Sequence, residues 1–120
     1  MATIQATLNI TSITATSEPL AIGQTKVITI DNPVQNTSRV VITASTPFVV
    51  VPSAKASATY VYLLNADTTN NLDLAEATTN VSFGTLLPGE WALLPVKASV
   101  GLEVDAVAAT AVLEYGFWSA

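Results

Sequence analysis

The sequence contains no cysteine and no histidine among its 120 residues. Without cysteine the chain forms neither disulfide bonds nor thiolate metal sites, and without histidine it lacks the commonest general base and neutral metal ligand. These absences exclude cysteine nucleophiles and zinc clusters, and they leave few groups for acid–base catalysis. We therefore expect a protein that is not an enzyme and that needs no cofactor and no metal.

Charged residues are also scarce, at 11% of the chain, against about 25% in an average soluble domain. The four basic residues are scattered along the chain, and the net charge is −5. Binding to nucleic acid needs grouped Lys and Arg, and an acidic protein is repelled by anionic membranes, so we expect neither partner. Half of the residues are apolar, which predicts that part of the surface is covered by other molecules.

Long hydrophobic runs are absent as well. No segment reaches the roughly 18 apolar residues of a membrane-spanning helix. The start, "MATIQATLNITS", has no basic region and no apolar run typical of a signal peptide. We expect the protein to be made and assembled in the cytoplasm.

The chain does contain segments in which apolar and polar residues alternate. In "TIQATLNI" the apolar residues from Ile4 to Ile10 fall on one face and the polar ones on the other, the period of a β-strand. The phase breaks at Ser12–Ile13, which indicates a bulge or the end of pairing. Further strands are predicted in "KVITI", "RVVITA", "FVVV", "SATYVYLL", "LDL", "VSF", "EWALLPV" and "GLEVDA".

The prolines and the turn signals organise these strands. "FVVV" lies between Pro47 and Pro52, which limits it to a short or edge strand, whereas "SATYVYLL" is the best central strand. A turn is predicted at Asp31–Pro33. Short strands separated by turns, with no long helix, indicate one all-β antiparallel sandwich or barrel over residues 1–120, with residues 1–18 as an extended N-terminal strand or arm.

Residues 104–118 are ambiguous. Val104, Val107, Ala111 and Tyr115 fall at helical spacing, and alanine favours helices. The alternation of apolar residues up to Phe117 favours a strand, which we prefer.

Three polar segments could form a catalytic or binding site. The group formed by Ser53, Lys55 and Ser57 could form a serine–lysine pair, but a solvated loop explains it better. Glu90 beside Trp91 is typical of a sugar subsite, yet a charged residue after Pro-Gly more simply marks a turn. The loop Asn65–Asp73 offers oxygen ligands for calcium without the spacing of an EF-hand, and a solvated loop is again the simpler interpretation.

The aromatic residues are few, and their positions are informative. Trp91 and Tyr60 are most simply core residues. Phe117 and Trp118 lie next to the end of the chain, where large aromatics need cover, either within a paired inner strand or against a neighbouring subunit. We take Trp91, Phe117 and Trp118 as candidate residues of an interface with another subunit or with another protein.

The Pro88–Gly89 turn in "FGTLLPGEWALLPV" predicts two adjoining strands. Gly89 is expected to supply the permissive backbone and Glu90 to keep the tip in solvent. Phe83 and Leu87 before the turn, with Trp91 and Leu93 after it, are expected to fill one core.

Residues 57–119 resemble a class of small structural proteins of tailed-phage virions. The likeness is carried by the order of the segments: a strand with an Asn-Asp tip, a phenylalanine, "LLPGEWA", "LLPV" and the closing "ATAVLEY". Each piece is a generic β motif, and only their order is distinctive.

The resemblance implies a jelly-roll β-sandwich that serves as a capsid decoration (cement) protein on the outer surface of the virion. It implies binding across subunits of the major capsid protein, and self-association into a homotrimer or another closed oligomer. The negative charge agrees with a position away from packaged DNA. Two alternatives remain open, a tail, baseplate or fibre-associated subunit, and a carbohydrate-binding module based on Trp91 and the Asn65–Asp73 loop.

Overall fold

A computed structural model describes residues 2–15, 17–30, 37–57 and 59–119. By its contacts the chain divides into two compact units, Met1–Pro33 and Val34–Ala120, which are described separately. The prediction of a single domain over residues 1–120 stays a prediction. The described residues form ten β-strands and no helix: β1 (Ala2–Ser12), β2 (Leu20–Ile30), β3 (Ser38–Thr43), β4 (Phe48–Val51), β5 (Thr59–Asn65), β6 (Leu72–Ala75), β7 (Ser82–Leu86), β8 (Trp91–Val96), β9 (Leu102–Ala106) and β10 (Thr110–Ser119).

The first unit is an antiparallel hairpin of β1 and β2. Its register runs without a shift from Ala2 opposite Ile30 to Ser12 opposite Leu20. Because side chains alternate across a strand, one face collects the apolar residues of β1 and the other is rich in threonine. The strand predicted over "TIQATLNI" and its end at Ser12 are confirmed, and β2 begins six residues before "KVITI". The turn predicted at 31–33 lies outside the described residues.

The second unit is a β-sandwich of two four-stranded antiparallel sheets. The first sheet has the order β3-β10-β5-β8 and the second the order β4-β9-β6-β7. Consecutive strands therefore alternate between the sheets, except β6 and β7, which pair with each other. The predicted all-β sandwich is confirmed. The predicted central position of β5 and the predicted edge position of β4 are confirmed as well.

The core lies between these two sheets and is built from the inward-facing side chains of each strand. Phe48 and Tyr115 meet across it, with ring centroids 5.2 Å apart. Burial alternates along β5 and β10, as expected when one face of a sheet is covered. The fully buried aliphatic residues include Ile42, Val51, Val61, Leu63, Leu72, Leu102, Val104, Ala111 and Leu113.

The segment 104–118 contains two strands and no helix. β9 ends at Ala106 and β10 begins at Thr110. The chain bends between them at Ala109, whose φ is +50°. The alternation that favoured a strand reflects burial of Ala111 and Leu113, so the preference for a strand is confirmed.

The prediction for the core around the Pro88–Gly89 turn is wrong. Gly89 does have a positive φ, of 83°, but the turn carries the chain from the second sheet to the first instead of joining two paired strands. Because β7 and β8 belong to different sheets, the residues that face the core on the two sides of this turn are not those that would share a face in a hairpin. Phe83, Leu87, Trp91 and Leu93 are all exposed, whereas Leu86, Ala92, Leu94 and Val96 belong to the core or pack against it.

Candidate interaction surface

The outward face of the first sheet carries most of the surface aromatics of this unit. The strand register places Glu114 opposite both Arg39 and Leu64, and Leu64 opposite Trp91. Since side chains two residues apart share a face, the same outward face takes every second residue of β3, β10, β5 and β8. We call this set the aromatic face: Arg39, Val41, Tyr60, Tyr62, Leu64, Trp91, Leu93, Pro95, Val112, Glu114 and Trp118.

Two of the three predicted interface residues lie on this face. Trp91 is on the edge strand β8 and is 57% exposed, and Trp118 is on β10 and partly buried. Strand spacing and rise place their backbones roughly 16 Å apart across the face. Phe117 points the other way and packs against the core. The interpretation of Trp91 as a core residue is therefore wrong, and β10 is an inner, paired strand.

Gly116 makes room for one of the tryptophans. A Cβ atom at Gly116 would lie 3.3 Å from Cη2 and 3.4 Å from Cζ2 of Trp118. The indole therefore lies back over the glycine, along its own strand.

The aromatic face is electrically almost neutral. Arg39 Nε lies 3.6 Å from Glu114 Oε1, and the Tyr62 hydroxyl donates to Glu114 Oε2 at 3.2 Å. Burial, followed by this hydrogen bond to the carboxylate, raises the pKa of Tyr62 above 10.0. Apart from the Arg39–Glu114 pair, whose charges cancel, its side chains are uncharged. Such a face loses little hydration energy when it is covered.

The outward face of the second sheet is acidic instead. Asp73 and Asp105 lie directly opposite each other on β6 and β9, and Glu103 is only 8% exposed. With its amide nitrogen turned toward Glu103, Asn80 donates to Oε1 at 2.7 Å. Asp105 Oδ1 is buried, and it has no hydrogen-bond partner among the residues that the structure describes. These groups line a pocket of about 320 Å³.

Neither that pocket nor the polar loop forms a metal centre. In the described ranges no group of three or more Asp, Glu, His or Cys side chains is placed to hold a metal ion. In the loop Asn65–Asp73, the Asp67 carboxylate accepts the backbone N–H groups of Thr69 and Asn70, at 3.0 and 2.7 Å. These bonds, that of Asn70 first, lower the pKa of Asp67. The Asp67 carboxylate thus accepts hydrogen bonds from the backbone of its own loop.

Asn65 is the residue that sequence reasoning missed. Its side chain is fully buried, and its Nδ2 donates to the carbonyls of Leu86 and Asn70 at 2.9 and 3.0 Å. Its backbone also binds Gly89 and Glu90 across the turn, at 2.9 Å in each case. The side-chain amide of Asn65 therefore links the loop after β5 to the end of β7, next to the connection from β7 to β8. The signal was an Asn at an inward position of a strand.

The remaining sequence candidates have structural roles. The Glu90 carboxylate accepts the Leu87 N–H at 2.7 Å and closes the turn. Lys55 lies in a turn closed by its own N–H to Pro52 O at 3.1 Å. A groove of about 550 Å³ between β7 and β8 is lined by apolar side chains that include Val81, Phe83 and Leu94.

Comparison with protein-family models, with curated proteins and with solved structures finds no match. No helix long and apolar enough to cross a membrane occurs in the part of the chain that the structure describes.

Proposed function

We propose that this chain is a non-enzymatic structural subunit of a tailed-phage virion, of the capsid decoration type. In this proposal the protein assembles in the host cytoplasm as a closed homo-oligomer and binds across subunits of the major capsid protein on the outer surface. The aromatic face is the observation that carries the proposal. Two Trp and two Tyr side chains on one outward face are the composition of an interface hot spot, in a chain with few charges to keep such a face in water.

The strand order supports a jelly roll. Eight strands are distributed as β3-β10-β5-β8 and β4-β9-β6-β7, which is the arrangement expected of two sheets built from Greek keys. The motif order in residues 57–119 supports a virion protein of this architecture.

The proposal is tested by binding to shells of the source phage that have been assembled without this protein. Leu93 lies on the edge strand β8 of the aromatic face, opposite Tyr62 and 37% exposed. Leu93→Asp places a charge where the contact would exclude water, so we expect at least a hundredfold loss of shell binding. Val49→Asp is the matched control, because Val49 is 46% exposed on β4 of the second sheet. Shell binding is measured by co-sedimentation, and equal binding by both variants would contradict the proposal.

A second candidate function is carbohydrate binding. It is favoured by the sharing of one face by Trp91, Trp118, Tyr60 and Tyr62, because sugars stack on coplanar aromatic side chains. A glycan array decides between the two functions. Hits that Trp91→Ala abolishes would favour the carbohydrate-binding module, and an array without hits would remove it.

A further inference from the structure

The hairpin of the first unit has two long strand edges that carry almost no protection against pairing. β1 and β2 are 11 residues each, about twice the usual strand length. Neither contains proline, and Lys26 is their only charged residue. In the described residues each strand pairs only with the other. Natural proteins normally block exposed edges with charges, prolines or short strands, because open edges pair with other chains.

The sequence of β1 reads nearly the same in both directions about Thr7. An antiparallel copy centred there places Thr3 opposite Thr11, Ile4 opposite Ile10 and Gln5 opposite Asn9. Ala6 then meets Leu8, and Ala2 meets Ser12. The pseudo-symmetry covers all 11 residues of the strand, Ala2–Ser12. Apart from Ala2 and Ser12 at the ends, every side chain thus meets one of its own class on the same face, as pairing about a two-fold axis favours.

We propose that β1 pairs with β1 of a second copy of this chain, antiparallel and centred on Thr7. The product is a four-stranded sheet with the order β2-β1-β1-β2, in which the two inner strands come from different copies. Three or more strands sharing an apolar face are stable where an isolated two-stranded hairpin is marginal. β2 is the outer strand because it carries Gly23 and Lys26, both of which disfavour pairing.

The charge distribution favours a second copy at this edge. The first unit contains Glu18, Lys26 and Asp31, a net charge of −1, whereas the second unit carries seven acidic and three basic residues, a net charge of −4. Contacts between the second units of two copies must overcome this like charge, and pairing through the uncharged β1 avoids it. The inference concerns the isolated protein and holds whatever the aromatic face binds.

The absence of cysteine allows a direct test of the register. Directly opposed residues in an antiparallel pair have Cα atoms about 4.5–5.5 Å apart, within the range of a disulfide. Under mild oxidation Thr7→Cys is expected to give at least ten times more disulfide-linked dimer than Thr3→Cys or Thr11→Cys alone. An equimolar mixture of the Thr3→Cys and Thr11→Cys proteins is expected to cross-link as a heterodimer.

Two outcomes of this experiment would overturn the proposal. One is preferential cross-linking of Thr25→Cys, the residue opposite Thr7 on β2, because it would make β2 the pairing strand. The other is the absence of a cross-link at Thr7 together with a monomer mass of 12.5 kDa in native mass spectrometry of the unmodified protein.

A charge-swap pair tests the same register without disulfides. Gln5→Lys combined with Asn9→Lys brings like charges together at both symmetric positions, whereas Gln5→Lys combined with Asn9→Glu brings opposite charges together. Within one chain these positions face Val27 and Gly23, which are uncharged. We expect the dimer dissociation constant of the first variant to be about tenfold higher than that of the second. Equal constants would reject the register centred on Thr7.

Discussion

The two outward faces of the sandwich differ in chemistry, although both belong to four-stranded antiparallel sheets of one unit. The aromatic face of the first sheet contains a single ion pair, Arg39–Glu114. The second sheet presents Asp73, Glu103 and Asp105 around one pocket. Both sheets turn one face toward the shared core and the other outward, so the fold does not require the difference.

The difference shows which face tolerates being covered. Covering the acidic face would desolvate carboxylates that form no salt bridge within the described ranges, whereas covering the aromatic face removes mainly apolar atoms from water. An interface with another protein is therefore expected on the first sheet. On the second sheet, the like charges of Asp73 and Asp105 disfavour close packing of a second acidic copy.

The largest expected effect on stability comes from removing the buried side chain of Asn65, which links the loop after β5 to the end of β7. Asn65→Ala leaves the carbonyls of Leu86 and Asn70 and the N–H of Asp67 without their side-chain partner. Buried groups left unpaired are costly, so we expect the free energy of unfolding to fall by about 3 kcal/mol. Urea denaturation measures this change.

The control for this variant is Asn70→Ala, which removes one exposed hydrogen bond, from Nδ2 to Thr110 O. We expect a loss of about 1 kcal/mol or less. If the two variants lost equal stability, Asn65 would not be the group that holds this connection.

A smaller effect of opposite sign is expected on the acidic face. Asp105→Asn removes one of two directly opposed carboxylates and the charge on a buried oxygen that has no partner. We expect the free energy of unfolding to rise by about 0.5–1 kcal/mol, measured by urea denaturation at pH 7. A loss of stability would show that another group compensates the charge of Asp105.

The same substitution at Asp67 is the control, because there the carboxylate accepts hydrogen bonds from Asn70 and Thr69. Those bonds lower the pKa of Asp67 below 3.8. Their stabilisation is complete above pH 3.8 and is lost as the pH falls through the lower pKa of the folded state. Asp67→Asn is therefore expected to destabilise the protein at pH 7, and this difference should disappear in strong acid.

The sequence predicted the strands well because the alternation of apolar residues is a local property. β1 and β10 each show it over seven residues or more, and the structure buries one side of β10 accordingly. The prolines around β4 likewise restrict pairing through a missing N–H, which is again local.

The sequence did not predict which sheet each strand joins. "FGTLLPGEWALLPV" is compatible with a hairpin and with a connection between sheets, and the choice follows from the pairing of β7 with β6 and of β8 with β5, which are distant in the chain from the turn. The aromatic face has the same origin. Tyr60, Trp91 and Trp118 come from three strands whose pairing is non-local, so their common orientation follows only from the register.

The smallest expected effect concerns the one charged pair of the aromatic face. Glu114→Gln removes a carboxylate whose hydrogen bond and charge raise the pKa of Tyr62, while the burial that contributes most to the shift remains. We therefore expect the pKa of Tyr62 to fall toward 10.0 without reaching it, as measured by absorbance titration of the phenolate with Tyr62→Phe as the reference. Because Arg39 is 61% exposed, loss of its ion pair should change stability by less than about 0.5 kcal/mol. A pKa that stayed the same in Glu114→Gln would mean that burial alone raises the pKa of Tyr62, without a contribution from the Glu114 carboxylate.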